Sequence, residues 1–279
     1  TQQAGTGTTT FLGNVDTNTA GVSVTSSGTV TIGTTVVVSA AGSVNFRSTA
    51  SGIILQSTAA ISTTAAGDVT FEAEDQISLA AGTIITVLSG DLALRSGLAD
   101  TDSTGSMILD GTLQTSTAGR TITLDLNSQQ GATQASTGAI LSSNLLLLST
   151  GSVPASFALG TSTLNDVNTL SASTSGAITF RDLDDLTIGS VSSTSGITTN
   201  AGVTDGAAIL INTGGLLTVS QPVTTLKAGS ASNSGSVTLN SAAGMSLAGS
   251  GDIQADGAVS LTAPTGISTA GDVTTTTAG

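Results

Sequence analysis

The sequence contains no cysteine, histidine, tryptophan or tyrosine, and only five phenylalanines and three prolines among 279 residues. Without cysteine there is no disulfide framework and no thiol chemistry. Without histidine as well, zinc and other softer metals lack their usual ligands, and a nucleophilic triad lacks its usual base. The scarcity of aromatic residues leaves nothing to build the girdles of a membrane-spanning β-barrel. The longest purely apolar runs, such as Leu145 to Leu148 and Ala207 to Ile211, are far short of the roughly 20 residues of a spanning helix. Charge is equally sparse: 8% of residues are charged, and five basic residues face eighteen acidic ones for a net charge of −13. Phosphate recognition needs lysine and arginine, so neither nucleic acid nor an anionic membrane surface is expected as a partner. The excess of acid supplies solubility through mutual repulsion.

What is present is aliphatic and small. Leu, Ile, Val and Phe form about a quarter of the chain, above the range of intrinsically disordered sequences. Gly, Ala, Ser and Thr fill most other positions. One short unit recurs: glycine, any residue, an aliphatic, a small residue, an apolar residue. It reads Gly28-Thr29-Val30-Thr31-Ile32, Gly42-Ser43-Val44-Asn45-Phe46, Gly67-Asp68-Val69-Thr70-Phe71 and Gly90-Asp91-Leu92-Ala93-Leu94. It returns from Gly105, Gly176, Gly235 and Gly257, and in weakened form from Gly271. The alternation is that of a half-buried strand bounded by a glycine turn, and glycine and β-branched residues are too dense for helix.

Spacing suggests how these strands assemble. The intervals from Gly42 to Gly67, from Gly67 to Gly90 and from Gly235 to Gly257 are nearly alike, whereas those from Gly28 to Gly42 and from Gly257 to Gly271 are equal and little more than half as long. The longer interval fits one full coil and the shorter fits two sides of a three-sided coil. The expected fold is all-β: a right-handed parallel β-helix of roughly 20–25 residues per coil, stacked about 4.8 Å apart over about 12 coils. Residues 1–279 are expected to form one continuous rod, with loop excursions near 98–104 and 127–137. The alternative, an antiparallel sandwich, would carry more aromatics and more polar outer faces. Phe46 and Phe71 should stack on successive coils, Leu145–Leu148 should be buried on both faces beneath the 127–137 loop, and the prolines should sit at corners.

The runs Ser175 to Gly189 and Gly235 to Gly249 resemble the degenerate repeats of large bacterial surface proteins, the filamentous-haemagglutinin-like and autotransporter-like β-helix exoproteins. That resemblance implies a right-handed parallel β-helix, secretion, an extracellular or cell-surface location, and roles in adhesion, biofilm matrix or surface fibres. Thr1 to Gly5 lacks the pattern of a signal peptide, so a secreted form would be a mature chain or an excised piece.

Chemistry-bearing clusters are few. Asp182, Asp184 and Asp185 beside Arg181 form the best one; with Leu183 facing inward, the plainest reading is a solvated, ion-paired turn. A Ca²⁺ site on the three aspartates is the alternative, since hard cations take several oxygens, and carboxylate-pair hydrolysis is a more distant one. Glu72, Glu74 and Asp75 read as an acidic stripe on an outer face. Thr8/Thr10, Thr121/Thr123 and Thr161/Thr163 raise an ice-binding solenoid, although their spacing is not constant. The expected role is therefore non-catalytic, with no cofactor: a structural or adhesive rod. Its expected partners are copies of itself or flanking repeats, end to end, and surface glycans, with no membrane insertion. A carbohydrate-binding or polysaccharide-cleaving β-helix is the alternative.

Overall fold

The computed structural model describes residues 2–5, 7–97, 104–128, 130–149, 154–200, 206–226 and 235–275. No helix occurs among them. Apart from one short hairpin, the strands wind around three faces and pair in parallel with the strands one coil earlier and one coil later. The first face runs through Thr9–Phe11, Val30–Ile32, Ile53–Leu55, Gln76–Leu79 and so on to Val259–Thr262, eleven rungs in all. The second face begins Val15–Thr17, Val37–Ala40, Ala60–Thr63, Ile84–Val87. The third begins Gln2–Gly5, Val22–Ser26, Val44–Ser48, Val69–Ala73, Leu92–Ser96. Two long strands, Ala139–Leu148 and Asp166–Ser173, run through the corner between the second and third faces and join them into one sheet. The protein is a parallel β-helix with three faces.

Coil length is less uniform than expected. The first-face rungs open at Thr9, Val30, Ile53, Ile77, Met107, Ala132, Phe157, Ile178, Ile209, Val237 and Val259. The step from Thr9 to Val30 is among the shortest and the step from Ile178 to Ile209 is the longest. Their average lies at the upper end of the expected range. The first face has eleven described rungs and the third has twelve, from Gln2–Gly5 to Val273–Thr275, about 53 Å of rod and in keeping with about 12 coils. The three longest steps are those whose sequence includes 98–103, 201–205 and 227–234. The excursion expected near 98–104 thus falls, apart from Thr104, outside the described residues.

The core consists of columns running along the axis. Val22, Val44, Val69, Leu92, Ile122, Leu145 and Leu170 are successive partners in one column of the third face, and all are buried. Phe46 and Phe71 stack as expected, with ring centroids 5.5 Å apart, and Phe11 packs against Phe46 at 5.6 Å from the first face. Such offset rings add to the gain from burial alone.

The corners explain the repeated unit. Gly21, Gly42, Gly67 and Gly90 lie one above another ahead of the third face. A Cβ on Gly67 would stand 2.5 Å from the carbonyl carbon of Gly42, and one on Gly90 would press on the carbonyl of Gly67. Glycine is required there by close backbone approach, not by left-handed dihedrals. The residue after it caps the next coil: the Asp68 carboxylate accepts the Asp91 N–H at 2.9 Å, and the Asp91 carboxylate accepts the Thr121 N–H at 2.9 Å. At the far end of the same face, Ser26 and Ser48 turn inward and donate to the carbonyls of Gly7 and Gly28 at 2.6 and 2.9 Å. Buried polar groups at the corners are thereby satisfied. All three prolines lie outside the strands.

Two expectations fail in the middle of the rod. The stretch 127–137, expected to loop out, contributes the first-face strand Ala132–Thr133, and Ser128, Ala132 and Gln134 are buried. Gln134 points into the core and pairs reciprocally with Asn165, Gln134 Nε2 donating to Asn165 Oδ1 at 2.8 Å and Asn165 Nδ2 to Gln134 Oε1 at 3.0 Å. Leu145, Leu146 and Leu147 are buried, but not beneath that loop. The antiparallel hairpin Ser190–Val191 and Thr194–Ser195 lies against this region. Ser171, the register partner of Leu146, anchors it: its hydroxyl shares its one hydrogen between the carbonyls of Gly189 and Thr194, both at 2.9 Å.

Candidate functional site

The three candidate aspartates do not converge. Asp182 ends the first-face strand Ile178–Asp182 and points inward, 1% exposed. Its Oδ1 accepts the Val167 N–H at 3.0 Å and its Oδ2 the Asp184 N–H at 3.3 Å. Leu183, expected to face inward, is 54% exposed instead; the corner begins at Asp182, so the alternation shifts there. Asp184 and Asp185 are exposed. Asp185 Oδ1 accepts the Leu216 N–H of the next coil at 2.6 Å, the same capping role that Asp68 and Asp91 play. Among the described residues, no group of three or more acidic residues could hold a metal ion. A buried single carboxylate and two outward ones provide neither a calcium cage nor a facing pair for hydrolysis.

Burial pushes the Asp182 carboxyl up to about 7, against the two backbone donors that favour its charged form, and the nearby Asp184 and Asp166 carboxylates add to the rise. The folded chain therefore holds this proton more tightly than the unfolded chain, whose aspartates titrate near pH ~3.9. Its stabilising contribution is complete below about pH 4 and is lost as pH rises through about 7, at up to about 1.4 kcal/mol per pH unit. Asp182→Asn keeps a carbonyl acceptor for Val167 and removes the titration. Urea midpoints measured from pH 4 to 8 should fall for the parent chain and fall distinctly less for Asp182→Asn; parallel curves would contradict this assignment.

The acidic stripe is corrected as well. Glu72 faces outward on the third face between two arginines in register, Arg47 on one coil and Arg95 on the next. It lies 3.7 Å from Arg47 Nε and 3.0 Å from Arg95 Nη1. Glu74 is buried at the following corner. Asp125 follows Arg95 in register on the next coil, so charge alternates along the axis and is locally neutral, and exposed pairs of this kind contribute little. Glu72→Gln should change the unfolding free energy by less than about 1 kcal/mol.

The outer surface carries columns of small polar residues. On the second face Asp16, Ser39, Ser62 and Thr86 lie in register, as do Thr187, Thr218, Ser246 and Ser268 farther on. Gln114 and Leu141 follow Thr86 in the first column. The paired threonines are dispersed: Thr10 is on the first face, Thr121 and Thr123 are on the third, and Thr8, Thr161 and Thr163 lie outside the strands.

Two open grooves interrupt this surface. One, of about 390 Å³, lies beside Gln114, Thr117, Ser143, Asp166 and Asn168. The other, of about 410 Å³, crosses three coils of the first face along Arg181, Asn212 and Asn240. Sequence reasoning missed the second groove because its residues are far apart along the chain, and only the register of the coils unites them. Comparison with protein-family models, with curated proteins and with solved structures gives no match for the chain.

Proposed function

We propose that the chain is a non-catalytic structural or adhesive element of a bacterial extracellular fibre, sheath or surface exoprotein, of the kind its repeats resemble. The observation that carries this reading is the continuity of the three ladders. Every coil serves as template for the next, and most outward positions hold small polar side chains. In a repeat rod each coil contacts only its neighbours, so length can be extended without redesign.

Met245 and Ile253 are buried, whereas their register partners on the last rung, Ile267 and Val273, are 40% and 46% exposed. The proposed partner is another copy of the chain, end to end, since an unpaired strand edge flanked by apolar side chains favours pairing with a further strand. Sedimentation velocity and negative-stain electron microscopy test this. The chain should associate end to end as concentration rises, giving rods longer than one molecule, and Ile267→Lys with Val273→Lys should abolish the association. A globular particle, or association unaffected by these substitutions, would contradict the proposal.

A further inference from the structure

The groove on the first face has a chemistry that the structural reading does not use. Arg181, Asn212 and Asn240 are direct register partners on three consecutive coils, and Thr213, Gly214, Ser241 and Ala242 complete the lining. Asn240 Nδ2 donates to Asn212 Oδ1 at 2.9 Å. This bond orients the amide ladder: the acceptor of Asn212 is occupied, and its own Nδ2 group makes no hydrogen bond among the described residues. Arg181, one coil away, forms no ion pair and no side-chain hydrogen bond among them either. Its situation differs from that of Arg47 and Arg95, both of which form ion pairs with Glu72. Two neighbouring sets of free donors, one of them charged, thus share one groove in a protein of net charge −13.

We propose that this groove binds a carboxylate-bearing saccharide. A guanidinium fork matches a carboxylate with two parallel N–H donors, and the Asn212 amide adds a donor at the adjacent rung. The remaining lining is the Asn240 amide, backbone and small side chains, without an aliphatic or aromatic anchor; the Thr213 and Ser241 hydroxyls are buried and bonded to the Gly215 carbonyl. That surface suits the hydroxyls of a sugar and offers little to a peptide side chain. Three rungs span about 10 Å, room for a short oligosaccharide stretch laid along the axis. The inference goes beyond the structural reading, which depends on end-to-end association and not on this groove.

The test is calorimetric titration of the whole chain with a galacturonate trisaccharide, with cellotriose, succinate and a triglutamate peptide as comparisons. Saturable binding is expected for the trisaccharide, with cellotriose, succinate and the peptide each at least several-fold weaker. Arg181→Gln should weaken trisaccharide binding about tenfold or more, and Asn212→Asp, which sets a carboxylate against the ligand, by at least as much. Arg95→Gln should leave binding unchanged. Both groove residues are outward, and unchanged thermal melting of the variants will separate lost binding from lost folding. No saturable binding of the trisaccharide overturns the proposal. Equal binding of cellotriose overturns the carboxylate pairing, and equal or tighter binding of succinate or the peptide overturns the saccharide assignment. An equal loss in Arg95→Gln would show diffuse electrostatic attraction in place of a site.

Discussion

Asn165→Leu is expected to destabilise the folded chain by about 4 kcal/mol, the largest effect of any single polar substitution in the rod. Asn165 is fully buried where the chain enters the long strand Asp166–Ser173. Its Oδ1 accepts from Gln134 Nε2 and, at 3.0 Å, from the Ile140 N–H. Its Nδ2 donates one hydrogen to Gln134 Oε1 and shares the other between the carbonyls of Leu159 and Arg181, at 3.3 and 3.1 Å. One amide thus joins groups from several successive coils. Leucine fills a similar volume but leaves all these partners dry and unpaired, and each buried orphan costs about 1–3 kcal/mol. Gln134→Leu should cost about 2 kcal/mol. The double variant should cost clearly less than the sum, because each side chain is the other's chief orphan. Urea denaturation of the four chains gives the cycle. Additive losses, or a loss below about 1 kcal/mol for Asn165→Leu, would show that the pair does not hold the coils together.

The second large effect belongs to the glycine column. Gly67→Val should destabilise by about 3 kcal/mol or more, because its Cβ would meet the carbonyl carbon of Gly42 at 2.5 Å and the N–H of Ser43 at 2.7 Å. These are backbone atoms locked in a ladder, so they cannot step aside as a flexible side chain would. Gly13→Ala is the internal comparison. Nothing lies within 4 Å of a Cβ there and its φ is not positive, so the change should be neutral or slightly stabilising through loss of unfolded-state entropy. Thermal melts of the two variants should diverge widely; a Gly67→Val chain as stable as Gly13→Ala would mean that the coils are not in contact at that corner.

Much of the fold was legible because its rules are local. The Gly-x-aliphatic unit marked strand starts, and the shorter interval from Gly28 to Gly42 separated a first-face strand from a third-face strand. Strand type and the Phe46–Phe71 stack followed from alternation and coil length. The misreadings arose where polar residues turn inward. Gln134 and Asn165 satisfy each other in the core, so a polar stretch that looked like a loop is a rung. Asp182 is inward because it caps the Val167 N–H across the corner, which sends Leu183 outward. Composition cannot distinguish such a buried, partnered carboxylate from a solvated one. The groove was invisible for a different reason: Arg181, Asn212 and Asn240 become neighbours only when two of the longest coils close.

Disulfide trapping in this cysteine-free chain tests the winding most directly. Thr70 and Ala93 are register partners on adjacent third-face coils, where parallel strands place Cα atoms about 4.8 Å apart, within disulfide reach. Asn45 and Ala93 lie two coils apart on the same column, about 9.6 Å, beyond reach. Under mild oxidation the Thr70→Cys/Ala93→Cys chain should close an intramolecular bridge and gain thermal stability, while Asn45→Cys/Ala93→Cys stays reduced. Bridging in the second pair but not the first would contradict the parallel coil.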